Sequence, residues 1–449
     1  MYSTSGAGPK EVASASTPSA DDALFRRISW RLLPLLFLAY FINYLDRTNI
    51  GYAQLQMQET LKFADTVFGL GATVLFLGYV LFEIPSNVLL TRIGAKRTLV
   101  RIMILWGLAS AATAFVTTPT QFYVARFFLG MFEAGLVPGA LYYLTLWYPL
   151  ERRGRANAIF LMGAGFAPIL SGPIAAGVMT WLHGRGGLDG WQWLFALESL
   201  PAFALAAVTL LRFDDNPGKA RWLTPEEKSH VQALAQSGNE GRDAGHLGTA
   251  LRQPRAWGFG LVCFLTVLGI YALAFWQPTL LKSMGLSLIQ IGLVSSLPAI
   301  AGATASFWMA SHSDKRRERR GHFTVAALVG AAGLTTAALL QQHLLIAMVG
   351  LVFAGAGLAS ALTLVWASVG EVLPREGLAA SIALITTCSN CSGLVGPLLV
   401  AAIRQATGGF GWSLIILSGA LLLACVAMQV ILWPSKRISS PMSVPARHL

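Results

Sequence analysis

Residues Trp30 to Tyr52 read WRLLPLLFLAYFINYLDRTNIGY. A run of this length and apolarity suffices to cross the roughly 30 Å hydrocarbon core of a bilayer, yet Asp46 and Arg47 stand near its end. Residues 120–147, TQFYVARFFLGMFEAGLVPGALYYLTLW, form a second such run and hold Arg126 and Glu133. A charge at bilayer depth costs roughly 2.5–3.5 kcal/mol on insertion scales, so such side chains face a partner or a wet cavity and mark a pathway. The first expectation is therefore a carrier of small molecules.

The rest of the chain has the same character. Its 449 residues are 55% hydrophobic and only 12% charged, with a mean hydropathy of +0.59, outside the balance of soluble domains. Apolar runs of about 20 residues place twelve helices near 30–52, 66–90, 99–117, 120–147, 156–181, 190–212, 256–281, 288–311, 323–341, 345–370, 377–402 and 411–433. The fold class expected is an all-α membrane protein. A net charge of +12 could suggest a nucleic-acid partner, but its distribution excludes that. With the N-terminus inside, 27 of the 33 Lys and Arg fall in cytoplasmic segments and four in outer loops. This is the positive-inside pattern of a multi-pass protein with both termini cytoplasmic and lipid around it.

Residues 1–28 are Ser/Ala/Pro-rich at their start and are expected to be a disordered cytoplasmic tail. No cleavable signal peptide is expected, since the first apolar run follows Arg26, Arg27 and Arg31 and eleven more come after it. Cys263, Cys388, Cys391 and Cys425 all fall in expected helices and read as small core thiols. The pair Cys388-Ser-Asn-Cys391 has no neighbouring His or carboxylate to complete a metal site.

Sliding the sequence on itself aligns the two halves. The loop Thr91-Arg92-Ile93-Gly94-Ala95-Lys96-Arg97 matches Asp314-Lys315-Arg316-Arg317, Pro149 to Gly154 matches Pro374 to Gly377, and Gly172-Pro173 matches Gly396-Pro397. The offsets are 223, 225 and 224 residues, about half the chain. Two six-helix bundles related by pseudo-two-fold symmetry follow, at 29–212 and 256–433. The charged linker is 213–255 and the cytoplasmic tail 434–449. Within the linker, Thr224-Pro225-Glu226-Glu227 is a helix start on what is otherwise a solvated tether.

Several segments are distinctive: YFINYLDRTNIGYAQLQM, GLGATVLFLGYVLFEIPSN, TRIGAKR, FYVARFFLGMFEAGLVPG, WQWLFALESLP and HSDKRRERRGH. From about residue 25 to 433 they resemble the anion:cation symporter branch of the major facilitator superfamily, nearest its bacterial carriers of tartrate, phthalate, hydroxyphenylacetate and sugar acids. The resemblance implies a monomeric, proton-coupled importer in the inner membrane, needing no cofactor beyond the proton as coupling ion. It also implies substrate contacts near Trp366 and Asn390. One departure from the family pattern stands in the first basic loop, where Thr91 replaces an acid and Asn87 replaces the opening Gly. Asp314 keeps the acid in the second copy.

Helical spacing indicates what the polar residues can reach. Tyr40, Asn43, Tyr44 and Arg47 lie at i, i+3, i+4 and i+7 on one face, expected to line a hydrated central chamber. Asp46 is about 100° round from Arg47, so Asp46 is expected to meet a flanking helix while Arg47 points at substrate. The plainer alternative is that Asp46-Arg47 ends helix 1 at an interface. Arg126 and Glu133, two turns apart and about 10 Å along the axis, each need another partner, which Arg47 or Asp46 could supply. They could equally form a network that only fixes packing.

A carboxylate is best held by a guanidinium, which stays charged and binds in a fork. Arg47 is the first candidate ligand and Arg126 the second, with Asn43, Tyr44, Tyr79, Trp276, Trp366 and Asn390 as further pocket residues. All seven histidines fall in loops or the tail, so a coupled proton must ride on Asp46 or Glu133. Glu83, Arg92 and Asp314 are gate candidates, and Glu198, in LESLP, reads as an interface anchor. Between 256 and 433 every charged residue lies in or beside a loop, so the second bundle offers shape and hydrogen bonds rather than charge. The rival reading is an exporter of drugs or cations on the same fold, against which the two membrane arginines weigh. No nucleophile–base pair or phosphate loop supports an enzyme.

Overall fold

The computed structural model describes residues 20–237, 251–374 and 377–432, and all its regular elements are helical. The first half comprises α1 (Ala20–Thr48), α2 (Ile50–Thr60), α3 (Asp65–Ile93), α4 (Ala95–Thr113), α5 (Pro119–Glu133), α6 (Leu136–Trp147), α7 (Leu150–Trp181) and α8 (Gly190–Arg212). A short α9 (Pro225–Ser237) follows. The second half comprises α10 (Pro254–Ser283), α11 (Leu288–Arg316), α12 (Arg320–Leu339), α13 (Leu344–Val372), α14 (Leu378–Thr407) and α15 (Gly411–Ile431).

Counting α1–α2 and α5–α6 as single spans gives twelve. Eleven of them are long and apolar enough by composition to cross a bilayer. The remaining span, α4, is 19 residues long and carries Lys96, Arg97 and Arg101 in its first two turns. Its position between α8 and α5 nevertheless makes it part of the bundle.

Local chemistry sets the helix ends. Asp189 with Gln192, and Ser287 with Gln290, form reciprocal capping boxes at the starts of α8 and α11, each satisfying two backbone N–H groups that have no partner inside the helix. Thr118 caps α5 by accepting from the Gln121 amide, with Pro119 in the first turn. The expected helix over 120–147 is broken at Ala134-Gly135. Gly135 has φ +92° and packs so close to Ser86 that a Cβ there would lie 2.3 Å from its Oγ, a place for glycine alone.

Two boundaries differ from expectation. The first helix begins at Ala20, well before 29, because its first turns are fastened to their surroundings by Arg152–Asp22 and Arg27–Glu227 ion pairs of 2.6 Å and a His230–Asp21 contact of 2.8 Å. Residues 1–19 of the expected tail, 238–250 of the linker and 434–449 lie outside the described residues. The helix start at Thr224 is present, with Thr224 and Glu227 bonded reciprocally at 3.0 and 3.2 Å. Residues 213–237 are no free tether, however. Tyr143 donates to the Asp214 carbonyl at 2.7 Å, and Trp222 stacks on Trp147 at 5.9 Å.

Within the first half, α1 packs on α7, α3 on α5, and α4 on α8; within the second, α10 packs on α14 and α15, and α13 on α11 and α12. The halves meet through α3 with α14, α7 with α11, and α2 with α10. Bonds between them cluster from the middle to the end opposite the termini. Thr73 donates to the Leu394 carbonyl at 2.7 Å, Ser296 to that of Ile169 at 2.5 Å, Arg404 pairs with Asp65 at 2.8 Å, and Lys282 pairs with Glu59.

Candidate functional site

The charges lie on α1 and α5, held together by close helix packing. At Gly130, midway between Arg126 and Glu133, an added Cβ would lie 1.9 Å from the Leu75 carbonyl oxygen, so α5 presses directly on α3. Such contact through small residues is how helices associate in lipid, where no hydrophobic force draws them together. It brings Tyr79 of α3 and Arg47 of α1 to the same place. The guanidinium of Arg47 lies 4.5 Å from the centre of the Tyr79 ring, a cation–π distance.

Arg47 and Glu133 are joined directly. Arg47 Nε donates to Glu133 Oε2 at 2.6 Å, with both side chains buried. Asp46 faces the other way, as its 100° offset from Arg47 requires, and accepts from Trp106 Nε1 and, at 2.9 Å, from Ser110 Oγ, both on α4. Arg126 lies within the fields of Asp46 and Glu133, but its three guanidinium nitrogens have no hydrogen-bond partner. Arg47 Nη2, Glu133 Oε1 and both polar atoms of Asn43, which stands beside Glu133, are also unpartnered.

The expectation of a hydrated chamber is corrected in one respect. The charges do meet, but away from water: Arg126 and Glu133 are 0% exposed, Asp46 1% and Arg47 6%. Helix packing has closed over the site, and a small edge of Arg47 is what remains accessible.

Aromatic hydroxyls surround that edge. Tyr40, stacked on Phe160 at 4.9 Å, and Tyr44 lie beside Arg47 on α1. Tyr271 of α10, which the sequence reading missed, brings its side chain to Arg47 from the second half, against Phe76 at 4.7 Å. A lone tyrosine in a uniformly apolar helix gave no periodic signal for it. Glu198 was also misread. It is no interface anchor: it is 7% exposed and accepts from the Asn49 amide, with Asp46 acting on it, because α8 is wedged against α1, α2, α4 and α7.

Of the candidates in the second half, Trp276 has another role. The Trp276 indole donates to the Pro397 carbonyl at 2.9 Å and lies near Phe410, which ties α10 to α14 rather than reaching a pocket. Trp366 is partly exposed on α13 and Asn390 partly buried on α14.

The gate candidates also divide. Half-buried Glu83, one turn beyond Tyr79, still lies in the field of Arg47. Arg92 is exposed in the last turn of α3. Asp314 binds Arg319 at 2.5 Å, and Arg319 also binds Glu371 at 2.6 Å. In the first copy, where Thr91 replaces the acid, Asp215 supplies one from the linker. Its Oδ1 accepts from the Lys96 amide at 3.1 Å, beside Gly94.

Among the described residues no group of His, Cys, Asp and Glu could hold a metal ion, and the four cysteines are free thiols.

Comparison with known proteins agrees with this architecture. Residues 36–340 match the family model of the Major Facilitator Superfamily. The chain belongs to the Major Facilitator Superfamily. It is 38% identical to a protein of Pseudomonas putida named "Putative metabolite transport protein NicT", covering 95% of this chain and 99% of that one. It is also 38% identical to a "Putative tartrate transporter" of Agrobacterium vitis, over 96% and 95% of the two chains. A "Quinolone resistance transporter" of Acinetobacter baumannii is 34% identical over 91% and 94%. Among solved structures, the fold matches a bacterial homologue of the human lysosomal transporter Spinster, with TM-score 0.73, 18% identity and coverage of 89% and 96%. The xylose transporter XylE of E. coli matches with TM-score 0.72, 15% identity and coverage of 92% and 98%. This chain is therefore a multi-pass membrane transporter with a small-molecule substrate, not an enzyme.

Proposed function

We propose that this superfamily member is a proton-coupled symporter that imports a small organic anion, a carboxylate or sugar acid, across the inner membrane by alternating access. The observation that carries the reading is the buried Arg47–Glu133 pair at 2.6 Å, with Tyr79 over the guanidinium and Arg126 unpartnered behind it. A substrate carboxylate entering the fork of Arg47 competes with Glu133 for the same donors. Glu133, displaced from the cation it is hydrogen-bonded to in a water-poor core, takes up a proton, since a buried carboxylate with less compensation is costly. Anion and proton then bind with positive linkage, each favouring the other by the same factor. Relatives named for tartrate and metabolite transport support the substrate class.

The excess of Lys and Arg in the loops on one side supports a cytoplasmic position for both termini. The end sealed by Lys282–Glu59 and Arg404–Asp65 is then the outer face, and the substrate leaves on the inner one. Rocking of the two halves about the Arg47 level completes the cycle. In this reading the proton is the coupling ion, the monomer is the working unit, and lipids surround it.

The relative named for quinolone resistance keeps export of drugs as the second reading. Counterflow in proteoliposomes separates the two. Labelled tartrate and aromatic carboxylates should exchange while cationic dyes do not; exchange of cationic dyes without any carboxylate would overturn the proposal.

A further inference from the structure

Five ionisable side chains meet in the core of the first half: Asp46, Arg47, Arg126, Glu133 and Glu198, each 7% exposed or less. The two guanidinium groups stay charged throughout the physiological range. Three ionised acids would therefore leave one negative charge in excess, and a buried uncompensated charge is avoided by taking up a proton. One proton on the set restores balance.

The three acids are unequal hosts for that proton. Glu133 has Arg47 at 2.6 Å. Asp46 has Trp106 and Ser110 as donors and lies in the field of Arg126. Glu198 accepts from Asn49 Nδ2, and the charge acting on it is the like charge of Asp46. Of the helices packed on α8, α1 presents Asp46 and the α1–α2 junction presents Asn49. The polar groups of α4, Trp106 and Ser110, are turned to Asp46, and among the described residues no charged side chain of α2, α4 or α7 acts on Glu198.

Two orphaned atoms complete the picture. Glu198 Oε1 and Asn49 Oδ1 are both buried without a partner, and both are acceptors when Glu198 is ionised. A proton on Oε1 changes this. A carboxylic acid and a primary amide are complementary at two points, with the amide N–H donating to the acid carbonyl and the acid O–H donating to the amide oxygen. The first of these bonds is present, and the second satisfies both orphans with one hydrogen.

We infer that Glu198 is a resident carboxylic acid whose proton closes a two-point ring with Asn49, and that it is a third proton-bearing group of the carrier beside Asp46 and Glu133. The inference leans on the proposed function only for the place of that proton in transport. Deprotonation would break the O–H···O bond, leave the N–H···O bond, and set a second negative charge next to Asp46.

Infrared difference spectroscopy of the purified, reconstituted, substrate-free protein, titrated from neutral to alkaline pH, tests this without reference to any substrate. Wild type should show the carbonyl stretch of a protonated carboxyl group at neutral pH, bleaching on the alkaline side. The band should vanish in Glu198→Gln, whose amide can form the same ring, and shift to higher frequency in Asn49→Leu, which removes the ring's partner while leaving all five charged side chains in place. Absence of the band from wild type, its survival in Glu198→Gln, or an unshifted band in Asn49→Leu would overturn the assignment. Failure of carboxylate exchange, by contrast, would count against the proposed function and leave the band untouched.

Discussion

The two halves share a fold and differ in what their cores contain. In the first, Asp46, Arg47, Arg126, Glu133 and Glu198 are buried together. In the second, the described charges lie at helix ends and in loops, as with Arg404, Lys282 and the Asp314–Arg319–Glu371 group, while the interior packs residues such as Phe259, Leu281, Leu358 and Leu421. The repeated scaffold thus carries a buried charge cluster in one half. The second half contributes a wall, with Tyr271 set against Arg47 and Phe76. On the proposed function, binding chemistry and movable surface would fall to different bundles, which suits a carrier that must expose one site to two sides in turn.

The largest effect expected from disturbing this asymmetry is at its centre. Arg47→Lys replaces a planar fork with a point charge, and a hydrogen bond to a charged group contributes about 1.5–3 kcal/mol. Uptake of labelled carboxylate should fall about 10- to 100-fold, and wild-type uptake would remove Arg47 from the substrate role. Next comes Glu133→Gln. Exchange of labelled substrate across proteoliposomes should continue while accumulation driven by a pH gradient disappears. Accumulation undiminished by the substitution would move the coupled proton to Asp46.

Arg126→Met tests whether a cation without a hydrogen bond still matters. Its charge offsets Asp46 and Glu133, and buried acids left short of a cation are costly, so the melting temperature and transport should both fall; a higher melting temperature would show that the desolvation cost of the guanidinium outweighs that compensation. In the other half, Tyr271→Phe removes one hydroxyl, a contribution of about 0.5–1.5 kcal/mol. The apparent affinity should drop a few-fold, and an unchanged affinity would reduce the second bundle to mere enclosure.

The smallest effect lies at the edge of the second half. Burial pushes the Glu318 carboxyl up, but bonds from the Gly321 amide and from His322 outweigh it and hold the group below its ordinary range. A carboxyl with a depressed folded value contributes stability above the unfolded value of about 4.5, lost as pH falls through the folded one. Protection from hydrogen exchange at Gly321 and His322, with the intrinsic pH dependence of amide exchange divided out, should thus fall below about pH 4.5 and stay flat above it. Protection that falls on going alkaline would contradict the direction.

Much of this was legible in the chain, and what was hidden has physical causes. Spans such as 190–212 and 288–311 follow from length and apolarity, and the opposite facing of Asp46 and Arg47 follows from helical geometry alone. The break at Gly135 could not be seen because its cause is a tertiary contact, Ser86 across the bundle. Glu198 was read as an interface anchor because Pro201 in LESLP suggested a break, whereas α8 runs on through Pro201 to Arg212 and buries Glu198. Tyr271 and Asp215 act over long sequence separations, on groups in another helix and in another loop, and local pattern carries no trace of such partners.

The most direct test of the competition between substrate and Glu133 is proton uptake on binding. Purified protein in weak buffer with a pH indicator is mixed with tartrate and with each carboxylate that raises its melting temperature. Displacement of Glu133 from Arg47 predicts net uptake of about one proton per bound anion at neutral pH, abolished in Glu133→Gln. Saturable binding with no proton taken up by the wild type would contradict it.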